Sequence, residues 1–277
     1  MKKAGIIGWP VTHSLSPVLH GYWLKEYGVG GEMLRLPAQP EQFAAEIERV
    51  RGLGFAGVNV TVPHKEAAFE LAQTRDRAAE ICGAVNLLVF GKDGIQGRNT
   101  DHVGLHQSLK ENLGELAGKT VVLLGAGGAA RGALLALDEL GAAQIHILNR
   151  HHARADSLAH ALALNITAKL LPGPLESWAA LAPQASLLLN TTSAGMAGTP
   201  PLSLDLTGLP RGAAVCDIVY NPLETQLLKD ASARGLKVID GLGMLMHQAV
   251  PSFEAFFGVR PKVTPGLRAA LVQALHG

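Results

Sequence analysis

The sequence predicts an α/β protein built as two domains, each around a mainly parallel sheet. Three observations carry this. Short apolar runs closed by glycine, proline or asparagine alternate with longer amphipathic stretches, a strand–helix–strand rhythm that gives parallel sheets with helical crossovers. Thirty-two glycines beside 5% aromatic residues are the usage of a chain with many tight turns and close helix–sheet contacts. The 277 residues amount to two domains at roughly 150 residues each.

In chain order, residues 4–8 form the first apolar run. Lys2 and Lys3 ahead of it imitate a signal peptide, but Trp9-Pro10 ends the stretch too early, so it reads as a strand. A strand at 33–36, a helix carried by Phe43, Ile47 and Val50, and a strand at 57–60 follow. The rhythm breaks between Leu87 and Asn99. There Val89-Phe90, the turn Gly91-Lys92-Asp93-Gly94 and residues 95–97 predict a β-hairpin. Beyond a seam near Asp101, strands at 121–124, 145–148, 187–189, 215–218 and 238–239 alternate with helical patterns such as Leu134, Leu137 and Leu140. The expected domains are 1–101 and 102–242, with 243–277 as a C-terminal segment.

Composition excludes several classes of function. With 48% apolar and 17% charged residues the chain buries enough surface to fold. Basic and acidic side chains number 24 and 23, leaving no excess to hold a nucleic acid by counterion release. The most apolar window, 121–137, is interrupted by four glycines and Arg131, so no membrane span is expected. Cys82 and Cys216 form no CxxC pair, which argues against a disulfide framework or thiolate zinc site and makes a reduced, cytoplasmic setting the default. His102 and His106 share a helix face, yet Asp101 and Gln107 complete no metal set, and no metal is expected.

The strand at 119–124 runs directly into Gly125-Ala126-Gly127-Gly128-Ala129-Ala130, which opens a helix over 131–140, and a second strand follows at 144–148. A GxGxxG/A string is weak alone. Between a strand and a helix it is the dinucleotide fingerprint of a Rossmann unit: Gly125 permits the turn, Gly127 lets backbone approach a pyrophosphate, and Ala130 lets helix and strand pack closely. An NAD site usually ends the second strand with an acid. Here stand Asn149-Arg150, then His151, His152 and Arg154, which repel no 2′-phosphate and offer two guanidinium forks, so NADP is favoured over NAD.

Three clusters mark the first domain. Ser14 and Ser16 follow the first strand and present two hydroxyls to a carboxylate, or serve as caps of a helix over 18–27. In Asn59-Val60-Thr61-Val62-Pro63-His64-Lys65 a strand ends in a turn, and the lysine opens a helix. An ammonium against the positive end of a helix dipole suits a proton donor or acceptor, with an ordinary surface lysine as the bland reading; His64 reads as satisfying a backbone group. Asn86 ends the third cluster, Gly83-Ala84-Val85-Asn86, and beyond the hairpin Asp101 is either a functional carboxylate or a helix cap.

With Asn190-Thr191-Thr192-Ser193-Ala194-Gly195-Met196, Asp217-Ile218-Val219-Tyr220-Asn221-Pro222 and Asp240-Gly241-Leu242-Gly243-Met244-Leu245 ending at Gln248, these stretches make nine motifs in order over nearly the whole chain. In them the sequence resembles the shikimate dehydrogenase family. The resemblance implies Lys65 and Asp101 as catalytic pair, Ser14, Ser16, Thr61, Asn86 and Gln248 as substrate hydrogen-bonding groups, and Tyr220 at the substrate's edge. It implies NADP held by Gly125, Ala126, Gly127, Gly128 and Ala129 and by Asn149, Arg150, His151 and Arg154, with Thr191, Ile218, Gly241 and Met244 near the nicotinamide. The C-terminal helices are then expected to return to the first domain. The implied activity is reversible reduction of 3-dehydroshikimate to shikimate by NADPH, on the route to chorismate and the aromatic amino acids. Partners would be small molecules, with monomer and homodimer both left open by the sequence. Quinate dehydrogenases and a catalytically silent NADP-linked sensor are the rival readings. Two positions depart from the family pattern: Gly21 stands where Asn commonly follows the histidine matched by His20, and His151 where Thr commonly follows Asn-Arg.

Overall fold

The computed structural model describes residues 1–276. In chain order the elements are β1 (Lys2–Gly8), α1 (Ser16–Glu26), β2 (Gly31–Pro37), α2 (Phe43–Gly52), β3 (Gly57–Val60), α3 (Lys65–Leu71), β4 (Thr74–Arg75), α4 (Arg77–Cys82), β5 (Leu87–Gly91), β6 (Gly94–Arg98) and α5 (Asp101–Leu113). There follow β7 (Thr120–Leu124), α6 (Gly128–Glu139), β8 (Gln144–Asn149), α7 (His152–Leu162), β9 (Lys169–Pro174), α8 (Trp178–Leu181), β10 (Leu187–Asn190), β11 (Ala214–Asp217), α9 (Gln226–Ala233), β12 (Lys237–Ile239), α10 (Leu242–Phe257) and α11 (Pro265–His276). They form two compact units, residues 1–101 with 246–276 and residues 102–245. Among the described residues no helix is long and apolar enough to cross a membrane.

The first unit is a six-stranded sheet in the order β2-β1-β3-β5-β6-β4. β1 pairs parallel with β2 and β3, whereas the hairpin β5–β6 enters antiparallel, with Asn59 opposite Leu87 and Leu87 opposite Arg98. This register decides where the chemistry lies. β1 and β3 end at one edge of the sheet, and the antiparallel hairpin brings both its outer ends, Asn86 and Asn99–Asp101, to that same edge. Beneath one face Phe43, Ile47 and Val50 of α2 pack with Ile7, Val58 and Leu88. The other face takes the returning C-terminal helices: Trp23 of α1 meets Phe253 at 5.4 Å between ring centroids and donates to Lys262 O at 3.0 Å. A Cβ on Gly57 would stand 2.6 Å from Phe256, so close approach of α10 requires the bare backbone there.

The second unit carries six parallel strands in the order β12-β11-β10-β7-β8-β9. Numbered within the unit this is the 3-2-1-4-5-6 order of a Rossmann sheet, and its topological switch point lies between β7 and β10. Val122, Leu124, Leu188 and Val215 build one core layer with Trp178, Leu227 and Leu228.

Local details differ from expectation. β9 has no counterpart in the sequence reading because Pro172, Gly173 and Pro174 speak against a strand. β9 lies on an edge, and its two prolines, two residues apart, aim their missing N–H groups to one side. Two helices start before their apolar pattern does: α1 opens at Ser16 on its Pro17, and α6 opens at Gly128.

Candidate active site

Lys65 opens α3 and Asp101 opens α5. Lys65 Nζ donates to Asp101 Oδ2 at 2.5 Å, and the two side chains are 16% and 6% exposed. The other carboxylate oxygen accepts from Asn86 Nδ2 at 2.8 Å. Asp101 is therefore no ordinary helix cap: both oxygens are engaged by side chains, and its own N–H is satisfied by Asn99 Oδ1 at 3.1 Å. Asn86 in turn accepts from Thr100 N at 2.7 Å, while Thr100 Oγ1 donates to Gln248 O at 2.9 Å and Asn86 Nδ2 reaches Gln248 Oε1 at 3.5 Å. The side chains of Lys65, Asn86, Thr100, Asp101 and Gln248 thus form one hydrogen-bonded cluster.

The serine pair lies after β1. Ser14 Oγ donates to Ser16 Oγ at 3.3 Å, and Ser16 N donates to Ser14 Oγ at 3.3 Å. The cap reading fails, because the residue before α1 is Leu15 and no side chain caps the helix. Two donors from Arg35, at 2.8 and 3.2 Å, hold the Ser14 carbonyl. Thr61 follows β3, its N–H bonded to Ile7 O at 2.9 Å, and its methyl packs where a Cβ on Gly8 would clash. His64 is buried, its Nε2 2.9 Å from Ala38 O and its ring stacked on Phe43, so it is satisfied structurally. The sequence reading missed Thr100 and Arg35. The motif around Asp101 contains the first, and no signal marks the second.

The second unit holds the remaining predicted residues. Gly125, with φ +111°, makes the turn after β7, and a Cβ there would lie 2.8 Å from Thr191 Oγ1. Thr191 closes the other side of the switch point, its N–H and Oγ1 bonded to Leu124 O at 2.9 and 2.7 Å. Gly127 is different. Its φ of −103° suits any residue, and a Cβ on it meets nothing within 4 Å. Folding places no demand for glycine there, and the open space fits a phosphate against the N-terminus of α6, where Gly128 and Ala129 stand and the first turn holds no acid. Ala126 lies between these glycines. Asn149 ends β8 and donates to His151 O at 3.1 Å. Arg150, His151 and Arg154 are exposed at the start of α7, a first turn also without an acid. Arg150 and Arg154 make no ion pair among the described residues, so the positive end of a helix carries two guanidinium groups ready for an anion. Ile218 and Tyr220 follow β11, Gly241 and Met244 lie around the start of α10, and a Cβ on Gly241 would stand 2.2 Å from Ile218 O.

A hydrogen-bonded polar cluster around a lysine–carboxylate pair in one α/β unit, and a dinucleotide-type turn in the other, define the class of nucleotide-dependent two-domain α/β proteins. A family model described as the shikimate dehydrogenase substrate binding domain matches residues 6–88, and one described as shikimate/quinate 5-dehydrogenase matches residues 107–196. The chain belongs to the shikimate dehydrogenase family. It is 50% identical over 280 residues to the shikimate dehydrogenase (NADP(+)) of Methylobacterium radiotolerans, covering 99% of this chain and 98% of that protein. Shikimate 5-dehydrogenase from Thermus thermophilus, solved in complex with NADP(H) and shikimate, matches with a TM-score of 0.84 at 33% identity over 100% of this chain and 99% of that one. Quinate dehydrogenase from Corynebacterium glutamicum in complex with NAD matches at 0.89 and 29% identity over 98% and 99%.

Proposed function

We propose that the chain catalyses the reversible NADPH-dependent reduction of 3-dehydroshikimate to shikimate. The observation that carries the reading is the Lys65–Asp101 pair at 2.5 Å, set among the hydrogen-bonding groups of Asn86, Thr100 and Gln248. An ammonium held beside a polar, half-open cluster is a proton donor waiting for an acceptor.

The open space at Gly127, with Arg150 and Arg154 in no ion pair among the described residues, fits NADP. Bound NADPH supplies the hydride. In reduction Lys65 Nζ gives a proton to the ketone oxygen as charge develops there, and in oxidation the neutral amine takes the hydroxyl proton. Asp101 Oδ2 holds Nζ in place. Ser14 and Ser16 offer two hydroxyl donors to the substrate carboxylate, Thr61, Asn86 and Gln248 take the ring hydroxyls, and Tyr220 borders the ring. Thr191, Ile218, Gly241 and Met244 border the nicotinamide half. Asn149, Arg150, His151 and Arg154 read the 2′-phosphate, with the His151 imidazole in place of a hydroxyl donor. Both cysteines are buried and neither forms a disulfide among the described residues, in keeping with a cytoplasmic enzyme whose partners are small molecules.

The quinate dehydrogenase shares this fold, so architecture does not select the substrate. A spectrophotometric assay at the nicotinamide absorbance, crossing shikimate and quinate with NADP and NAD, tests the reading. The largest kcat/KM is expected for shikimate with NADP; a larger value for quinate or for NAD overturns the substrate or the cofactor assignment.

A further inference from the structure

Asp217, the last residue of β11, is fully buried, and it has no cation beside it among the described residues. Three donors converge on its carboxylate instead. Oδ1 accepts from Asn190 Nδ2 at 2.9 Å and from Val219 N at 3.1 Å, and Oδ2 accepts from Thr225 Oγ1 at 2.8 Å. Burying a carboxylate without a counter-ion is costly, and burial pushes the Asp217 pKa up, while the three hydrogen bonds oppose that shift. The unit keeps this charge in its core although an apolar residue would avoid the cost.

What the charge organises is a pair of connections at the carboxyl edge of the sheet. Asn190 ends β10 directly opposite Asp217. With its amide nitrogen drawn to Asp217, its Oδ1 is turned to accept from Thr192 N and Thr192 Oγ1, at 3.0 and 2.8 Å. On the other side the Asp217 carboxylate turns the chain back through Val219 N. Ile218 N bonds to Asn190 O at 3.2 Å, and the Ile218–Val219 backbone passes so close to Gly241 that a Cβ there would meet three of its atoms within 2.8 Å. Thr191 and Ile218 are each flanked by residues of this network.

We propose that Asp217 is a positioning residue: its buried carboxylate locks the connection after β10 to the connection after β11, and so sets Thr191 and Ile218 in place for the nicotinamide half of the dinucleotide. This rests on the reading that these segments carry NADP. An aspartate suits the task because its two oxygens take three donors without offering one. An asparagine keeps the shape but must turn a donor toward one of them, most cheaply toward the Thr225 hydroxyl, which can accept.

Calorimetric titration with NADP and steady-state kinetics on wild type, Asp217→Ala, Asp217→Asn and a core control, Leu209→Ala, test this. Asp217→Ala leaves three buried donors without an acceptor. It is expected to weaken NADP binding and raise its KM about ten-fold or more, with the KM for shikimate unmoved. Asp217→Asn should fall between Ala and wild type. Leu209→Ala should lower the melting temperature while leaving the NADP affinity alone. If Asp217→Ala, or Asp217→Asn should the alanine variant not fold, binds NADP within about two-fold of wild type, the positioning role is wrong. It is equally wrong if Leu209→Ala weakens NADP as much, since general loosening would then explain the effect. Wild type that binds no NADP at all removes the cofactor reading itself, and this inference with it.

Discussion

Lys65 and Asp101 stand 36 residues apart and meet at 2.5 Å, each as the first residue of its helix. The two positions are electrostatically opposite in quality. A carboxylate at a helix N-terminus is favoured by the dipole, and an ammonium there is disfavoured. The pairing offsets the unfavourable half with the favourable one and leaves the lysine held but partly accessible.

The first prediction follows from that asymmetry. Lys65→Ala should reduce kcat by ~10²–10⁴-fold with little change in the KM for shikimate. A variant keeping more than about a third of wild-type kcat would take the proton-transfer role away from Lys65. Asp101→Asn should also slow turnover. Both variants should melt below wild type, since each leaves a largely buried partner without its counter-charge, and thermal melts check this.

Gly127 gives a second test. Since a Cβ there meets only open space and φ is ordinary, Gly127→Ala should leave the melting temperature within about 2 °C of wild type, as for a surface change. NADP affinity should nonetheless fall, because the methyl group would occupy the approach to the pyrophosphate. Equal affinity in the two proteins would show that no phosphate comes near this turn.

Arg150 is exposed and has no ion-pair partner among the described residues, so its removal costs the fold little. Arg150→Ala should weaken NADP by about ten-fold, the worth of a charge-assisted hydrogen bond, while NAD binding changes hardly at all. An unchanged ratio of NADP to NAD affinity would mean that the 2′-phosphate is read elsewhere.

How far such features are legible in a sequence depends on whether they are local. The strand–turn–helix around Gly125 is legible because strand, glycines and helix start all lie between Thr120 and Gly128, and the alternation that predicts two parallel-rich sheets is legible because it too is local. β9 is hidden because its prolines are tolerable only at an edge, and edge position is a property of the finished sheet. The link from Asn86 through Thr100 to Gln248 spans 162 residues and depends on an antiparallel hairpin bringing both its ends to one edge. No local pattern announces it. Asp217 stands in a motif visible in the sequence, yet its burial against Asn190 and Thr225 emerges only when β10 and β11 pair.

His20 supplies the last prediction. It is fully buried among Trp23, Phe253, Phe256 and Phe257, neither ring nitrogen has a partner among the described residues, and burial holds its pKa down at about 3. The unfolded imidazole takes a proton near pH 6.5, the folded one only near pH 3. Between those values the unfolded chain binds more protons, so stability is highest above pH 6.5 and falls as the pH drops toward 3. At pH 5 the loss from this one residue amounts to about 2 kcal/mol relative to pH 8. His20→Leu removes the titrating group and both unpartnered nitrogens while keeping an apolar side chain in the aromatic cage. The difference in urea stability between pH 8 and pH 5 should therefore shrink by about 2 kcal/mol in the variant. The same acid sensitivity in both proteins would mean that His20 finds a partner or water in solution and is not held neutral by burial.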